Sequence, residues 1–255
     1  MVDEYQTIEV ELSADDARLL GEAAGNHLQV GLGSADGRWS LTATSYVGTL
    51  VTPAIELLVR PKAALHNVFQ MLDVAPDAFG PRDFGFESDR NLLSIVAELF
   101  ARSVERTIGT GLLRSYRHIE ERSMAVRGRI DLAEAVRRPG VPIPVPCRFD
   151  EYTSDILENQ ALKAALRRLL QVPGVRPTTR RSLSLALARF EVVADAVIDP
   201  RILERIAYTR LNRHYRHPLR LAELILKNLT FVDRLGSADA SGFMVNMNDL
   251  FQDWV

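Results

Sequence analysis

Pro142, Pro144 and Pro146 alternate with Val141, Ile143 and Val145 in the run Val141–Phe149. A helix cannot hold that spacing, because each proline ring removes a backbone donor and clashes with the preceding turn. What remains is an extended arm, and the missing donors predict an edge strand, not a central one. Upstream, Leu113–Met124 reads as a matching extended and highly charged arm. Between the two lies Val126-Arg-Gly-Arg-Ile-Asp131, a turn carrying three charges. Beyond the return arm, Asp155 and Glu158 stand in the N-cap-to-N3 relation ahead of an apolar stripe of Leu162, Leu166, Leu169 and Leu170. That pattern predicts a helix from Ser154 to about Gln171. The pieces compose a ribbon rooted in a helix, with arginines at its free end.

The flanking chain predicts an α+β protein. Gln6–Leu12 alternates as a strand, Ser13 caps a short helix through Asp16, and Asp36-Gly37 marks a hairpin turn. Short β segments follow at Leu28–Leu32, Trp39–Thr44, Tyr46–Val51 and Ile55–Val59. Residues 1–75 therefore form a small β-rich domain, with a helical turn at Ala63–Leu72. Prolines, glycines and acids at Pro76–Asp89 mark a linker. Residues 90–242 read as a mainly helical domain with a projecting two-stranded finger at 113–150. Its helices carry Leu92, Val96, Leu99 and Val104, capped by Ser88 or Asp89; then Leu183 to Val197, starting at Pro177; a short one at Arg201–Tyr208; and Leu221 to Leu229, with Pro218 in the first turn. Ser237–Gly242 reads as a loop, and a further helix begins at Met244.

Composition narrows the function. A formal charge of −2 exerts no global pull on nucleic acid or anionic membrane, so any basic surface is local. Lysine occurs only at 62, 163 and 227, which leaves arginine as the main planar donor for carboxylate or phosphate. The single Cys147 has no internal disulfide partner, which fits a reducing cytoplasm. No apolar run approaches the roughly 18 residues of a membrane span, and the N-terminus lacks the charged and apolar regions of a signal peptide. A soluble cytoplasmic protein is expected.

Chemistry of the usual kinds is missing. The glycines at 31, 33 and 37 lack the Lys-Ser/Thr of a phosphate loop, and Gly-x-Ser-x-Gly does not occur. His214 and His217 have no Cys or carboxylate at ligand spacing, so a basic surface turn is expected there and no metal. A metal-dependent nuclease needs Asp/Glu-x-Lys, yet Arg60, Ala161 and Ile225 precede the three lysines by two. No catalytic residue is expected. At the tip, Arg127 and Arg129 flank Gly128, with Asp131 just beyond. Three readings stay open: a locally satisfied β-turn, arginines delivered to a partner's nucleotide as an arginine finger is, or arginines on nucleic-acid phosphates.

The order of segments resembles the McrC family, the partner subunit of the McrBC modification-dependent restriction system. The likeness rests on Val47-Gly-Thr-Leu with Ile55–Lys62, on Gly111–Tyr116, on Val126–Ile130, on Cys147–Asn159, and on Asn246–Val255. It implies a finger entering the pore of a hexameric McrB-type AAA+ GTPase and stimulating hydrolysis, with GTP and Mg2+ held by that partner and no cofactor in this chain. Carried over, Arg127, Gly128, Arg129 and Asp131 would meet the partner. Arg114, Tyr116, Arg117, Arg122 and Arg148 lie on the finger arms, and Pro61, Lys62, Asp150, Glu151, Asp155 and Asn159 are structural motif positions. DNA, cut near modified cytosines by a C-terminal nuclease domain, belongs to the same complex. The chain departs from the family there: residues 243–255 read as the start of a truncated nuclease domain, with Gln252 where an acid is usual. The alternative is a stand-alone DNA-binding module using the ribbon and Arg201–Arg220, against which Glu120, Glu121 and Glu134 argue by repelling phosphates. A self-sufficient nuclease is the third reading.

Overall fold

Strands from both ends of the chain meet in one sheet. The computed structural model describes residues 1–62, 92–137, 140, 143–172, 175–234 and 237–254. The helix expected at Ala63–Leu72, the linker at 76–89 and the Ser88 or Asp89 cap lie outside them. First come β1 (Val2–Asp3), β2 (Thr7–Glu11), α1 (Ala14–Ala24), β3 (Leu28–Leu32), β4 (Arg38–Ala43), β5 (Tyr46–Val51) and β6 (Glu56–Arg60). Next, α2 (Leu92–Ile108) leads to β7 (Ser115–Ser123), β8 (Arg129–Ile130), α3 (Leu132–Ala135) and β9 (Val145–Thr153). Then α4 (Leu157–Gln171), α5 (Pro177–Ala188), α6 (Pro200–Leu203), a 3-10 turn at Arg213–Tyr215 and α7 (Arg216–Asn228) lead to β10 (Leu229–Arg234), β11 (Ser237–Asn246) and α8 (Met247–Trp254).

The five-stranded sheet has the order β1-β6-β5-β11-β10, and β2-β4-β3 form a second sheet. Ser13 Oγ accepts from the Asp16 N–H at 3.1 Å, as its cap pattern predicts. Gly37, at φ +76°, turns the β3–β4 hairpin, so the Asp-Gly signal was legible.

β11 joins the two halves. It pairs antiparallel with β5 from Ser241↔Val51 to Asn246↔Tyr46, and its alternation splits the core in two. Phe243 and Val245 pack with Val47 and the large helices, while Ala240 and Met244 pack with Leu20, Ala23 and Ala24 of α1. The sequence reading of Ser237–Gly242 as a loop is corrected here. Gly242 serves a close approach: a Cβ there would lie 2.8 Å from Leu50 Cδ2 and 3.0 Å from the Ala23 carbonyl. The next helix therefore starts at Met247, not Met244, where the Met247 N–H reaches Ser45 O at 2.9 Å.

On the other face of the sheet, α2 is buried almost all round, with Val96, Phe100 and Val104 fully inaccessible. Only the side carrying Arg102, Glu105 and Arg106 faces solvent, so the wide apolar face packs into the core. Leu162, Leu166 and Leu169 of α4 and Leu221 and Ile225 of α7 complete that cluster. Each such side chain contributes about 1.5–3 kcal/mol by leaving water. Arginines finish two helices: Arg180 donates to the Leu170 and Val172 carbonyls at 2.6 and 2.7 Å, and Arg168 to those of Leu226 and Leu229 at 3.3 and 2.5 Å. The expected helix through Val197 stops at Ala188. The Arg189, Phe190 and Val193 amides make three-residue turns instead, which bury Phe190 and Val193 and leave Val197 in solvent. Likewise the helix expected over Arg201–Tyr208 covers only Pro200–Leu203, capped by Asp199.

The ribbon strands form a third sheet in the order β7-β9-β8, so the proline-bearing arm is central, contrary to expectation. The rule against central proline is met locally. β9 begins at Val145, after Pro144, and β8 opposes it only at Arg148 and Cys147. Pro146 thus needs no donor toward β8, and its carbonyl accepts the Asp131 N–H at 2.9 Å.

Candidate functional site at the ribbon tip

Nine consecutive pairs, Ser115↔Thr153 to Ser123↔Val145, zip β7 to β9. β7 is exposed at nearly every position, on both faces. A strand without a covered face must draw its order from its partner strand and from cross-strand side chains. Those pairs are present. Arg114 stacks 4.8 Å from the Tyr152 ring and donates to the Tyr152 carbonyl at 3.1 Å. Tyr116 lies 5.1 Å from the same ring. His118 Nδ1 lies 3.0 Å from Asp150 Oδ1.

At the free end the chain crosses back over β9. Gly128 adopts φ +67°, and a Cβ there would sit 2.5 Å from both the Arg148 carbonyl and Phe149 Cβ. Only glycine fits that crossing. Asp131 is turned inward: its side chain accepts from the Glu134 N–H at 3.1 Å, capping α3, and meets Arg148 Nη2 at 2.5 Å. Arg148 also reaches Glu120 at 3.1 Å, and Arg122 pairs with Glu134. Arg127 lies over the Phe149 ring at 4.7 Å and only 3.9 Å from Glu121. Arg129 differs. It is exposed, and among the described residues its guanidinium has no hydrogen bond or ion pair. Around it Met124, Val126, Leu132 and Val136 are more than half exposed.

The ribbon's root is a buried polar knot. Asn159, fully inaccessible, donates to the carbonyls of Leu113 and Ser154 at 2.8 and 2.7 Å. The Tyr215 hydroxyl donates to Asn159 Oδ1 at 2.9 Å and accepts from the Leu113 N–H at 2.8 Å. Burial raises the Tyr215 pKa, which keeps that hydroxyl protonated. Sequence reasoning missed Tyr215, reading its neighbourhood as a basic surface turn. Its signal was a lone aromatic among charges.

Asp155 does not cap α4, as its spacing suggests; Ile156 holds that position without a side-chain bond. Its carboxylate instead takes Arg117 Nη1 at 2.6 Å, Gln160 Nε2 at 2.8 Å and the Ala194 N–H at 2.9 Å. Burial pushes its pKa up, but the bonds from Gln160, Ala194 and Arg117 outweigh this and hold it below the ordinary value. Glu151 lies 4.0 Å from the same arginine. Pro61 and Lys62 follow β6 and stand apart from the ribbon in the fold, Lys62 lying over the Tyr5 ring at 5.1 Å. Among the described residues no three His, Cys, Asp or Glu side chains converge on a metal position, and no helix is long and apolar enough to cross a membrane.

The described residues form a mixed α/β protein, with a β-rich N-terminal part, helices later in the chain and a three-stranded ribbon. The chain belongs to the family described as McrBC 5-methylcytosine restriction system component, whose model matches residues 41–255. Solved structures that share the fold include two from Thermococcus gammatolerans. One is the cryo-EM structure of the Thermococcus gammatolerans McrBC complex, with 20% identity, a TM-score of 0.61, and 99% of this chain and 84% of that one covered. The other is a half-complex from a tetradecameric assembly of Thermococcus gammatolerans McrB AAA+ hexamers with bound McrC, at 20% identity, a TM-score of 0.58, and 100% and 68% covered. No curated protein matches the chain.

Proposed function

We propose that this chain is the McrC-type subunit of its restriction system, and that its ribbon docks on a McrB-type AAA+ ring and stimulates GTP hydrolysis there. The observation that carries this reading is Arg129. Among the described residues its guanidinium has no partner, whereas the tip's Arg122 and Arg148 are held by carboxylates. A guanidinium delivered to a phosphate stabilises the charge of the transferring group and accelerates hydrolysis by roughly 10³–10⁵ where it acts directly. The exposed apolar side chains around it suit a protein surface, since interface cores favour apolar contact. GTP and Mg2+ belong to the ring in this reading, which places the subunit in the cytoplasm with its partner.

Asp131 takes a different role from the one its position suggests, fixing the tip from within instead of facing the partner. Arg127 steers the approach while stacked on Phe149. The ribbon is a poor DNA ligand by comparison, because Glu120, Glu121 and Glu134 sit among its arginines. The test is GTP turnover by the cognate ring with added subunit. Arg129→Ala is expected to lower the stimulation at least about tenfold. Full stimulation by Arg129→Ala, or by a subunit lacking 125–140, would remove the ribbon from the mechanism.

A further inference from the structure

Arginines gather in a second place, under opposite electrostatic conditions. From Arg205 to Ala222 the sequence has five arginines and two histidines and not one acid, in a chain whose formal charge is −2. Arg205, Arg210 and Arg213 are exposed, as is Arg201 on α6. None of these four guanidinium groups has a hydrogen bond or ion pair among the described residues. On the ribbon, by contrast, Arg117, Arg122 and Arg148 each hold a carboxylate.

The segment that presents them is built, not loose. Asn212 Oδ1 accepts from the Thr209 N–H at 2.7 Å, and Asn212 Nδ2 donates to the Ala207 carbonyl at 3.1 Å. The Arg213 N–H closes the turn on Thr209 O at 2.9 Å. Tyr215, buried and bonded to Asn159, ties the turn to the body. Asp199 and Glu204 flank Arg201, but from Arg205 onward the guanidinium groups stand on a built, acid-free turn, and such a set suits a partner of continuous negative charge. An acidic protein face would also ask for apolar or aromatic anchors, and Leu211 is the one large apolar side chain of this stretch that is mostly exposed. Phosphate contacts ask for none.

We propose that Arg201, Arg205, Arg210 and Arg213 form a seat for the phosphate backbone of duplex DNA, independent of sequence and separate from the ribbon. The probe is a fluorescein-labelled duplex of about 30 base pairs, titrated with the full chain in fluorescence anisotropy across a salt series. Counterion release gives a log–log slope of about −0.9 per phosphate neutralised, so four contacts give a slope of about −3.6. The double variant Arg210→Gln/Arg213→Gln is expected to weaken binding at low salt by about tenfold or more and to reduce the slope by about 2. Arg129→Gln is expected to leave both unchanged, which separates this site from the ribbon. An unchanged affinity in the double variant overturns the proposal. So does loss of binding in Arg129→Gln, or equal competition by polyglutamate, which would mark a surface for acidic protein. Thermal melts of each variant show that the fold is intact.

Discussion

Tyr215 and Asn159 hold each other across 56 positions of sequence, hydroxyl to amide oxygen at 2.9 Å, and between them they fix both polar atoms of the Leu113 backbone. The ribbon is therefore fastened at its first residue by groups water does not reach. That knot, with the Arg117–Asp155 bond, ties the ribbon to the body.

Tyr215→Phe tests the knot. It removes one hydroxyl and leaves the Leu113 N–H and Asn159 Oδ1 buried without partners. A loss of about 1–3 kcal/mol is expected, read as a lower urea midpoint with an unchanged m-value.

Acidification tests Asp155. Its folded pKa lies below its ordinary value, so its bonds stabilise the fold at neutral pH, and this contribution fades as pH falls through the ordinary carboxylate range toward the folded pKa. Comparing melting temperatures of the parent and Asp155→Asn from pH 7 to pH 3, the gap between them is expected to narrow on acidification. A constant gap would show that the carboxylate's charge is not what Arg117, Gln160 and Ala194 respond to.

Gly128→Ala tests the crossing at the tip. The new Cβ meets the β9 backbone at 2.5 Å in a left-handed conformation, which costs about 1–3 kcal/mol locally. Stimulation of the ring is expected to fall while the global melting temperature moves little, because the tip lies outside both cores.

Phe100→Ala tests the helical core. Phe100 is fully buried on α2, and its loss is expected to cost about 3–5 kcal/mol in chemical denaturation.

Local signals were legible in the sequence wherever one residue type has one physical use. Ser13 with Asp16, Asp36-Gly37, Pro177 and the apolar stripe of α4 all stand where their chemistry predicts. Reading failed where the deciding contact was distant. Ser237–Gly242 has loop composition, yet Gly242 lies where α1 and β5 leave no room for a Cβ. Pro146 is barred from a central strand only if its neighbour extends alongside it, and β8 does not. Asp155 has the spacing of a cap, but Arg117 and Ala194, 38 and 39 positions away, claim its carboxylate. At the tip, residue type alone could not separate Arg129 from Arg148 or Asp131. Which of them is neutralised depends on a register that only the folded ribbon sets.

The position of β11 also governs how the chain can reach its fold. Its partner β5 is synthesised nearly two hundred residues earlier, and until the ribosome has passed Asn246 the edge of β5 has nothing to pair with. Closure over so long a loop makes the last step slow and leaves an open strand edge in the nascent protein. The first sixty residues are thus poor candidates for independent expression, and the α1–sheet cluster and the helical cluster should melt together, in one transition.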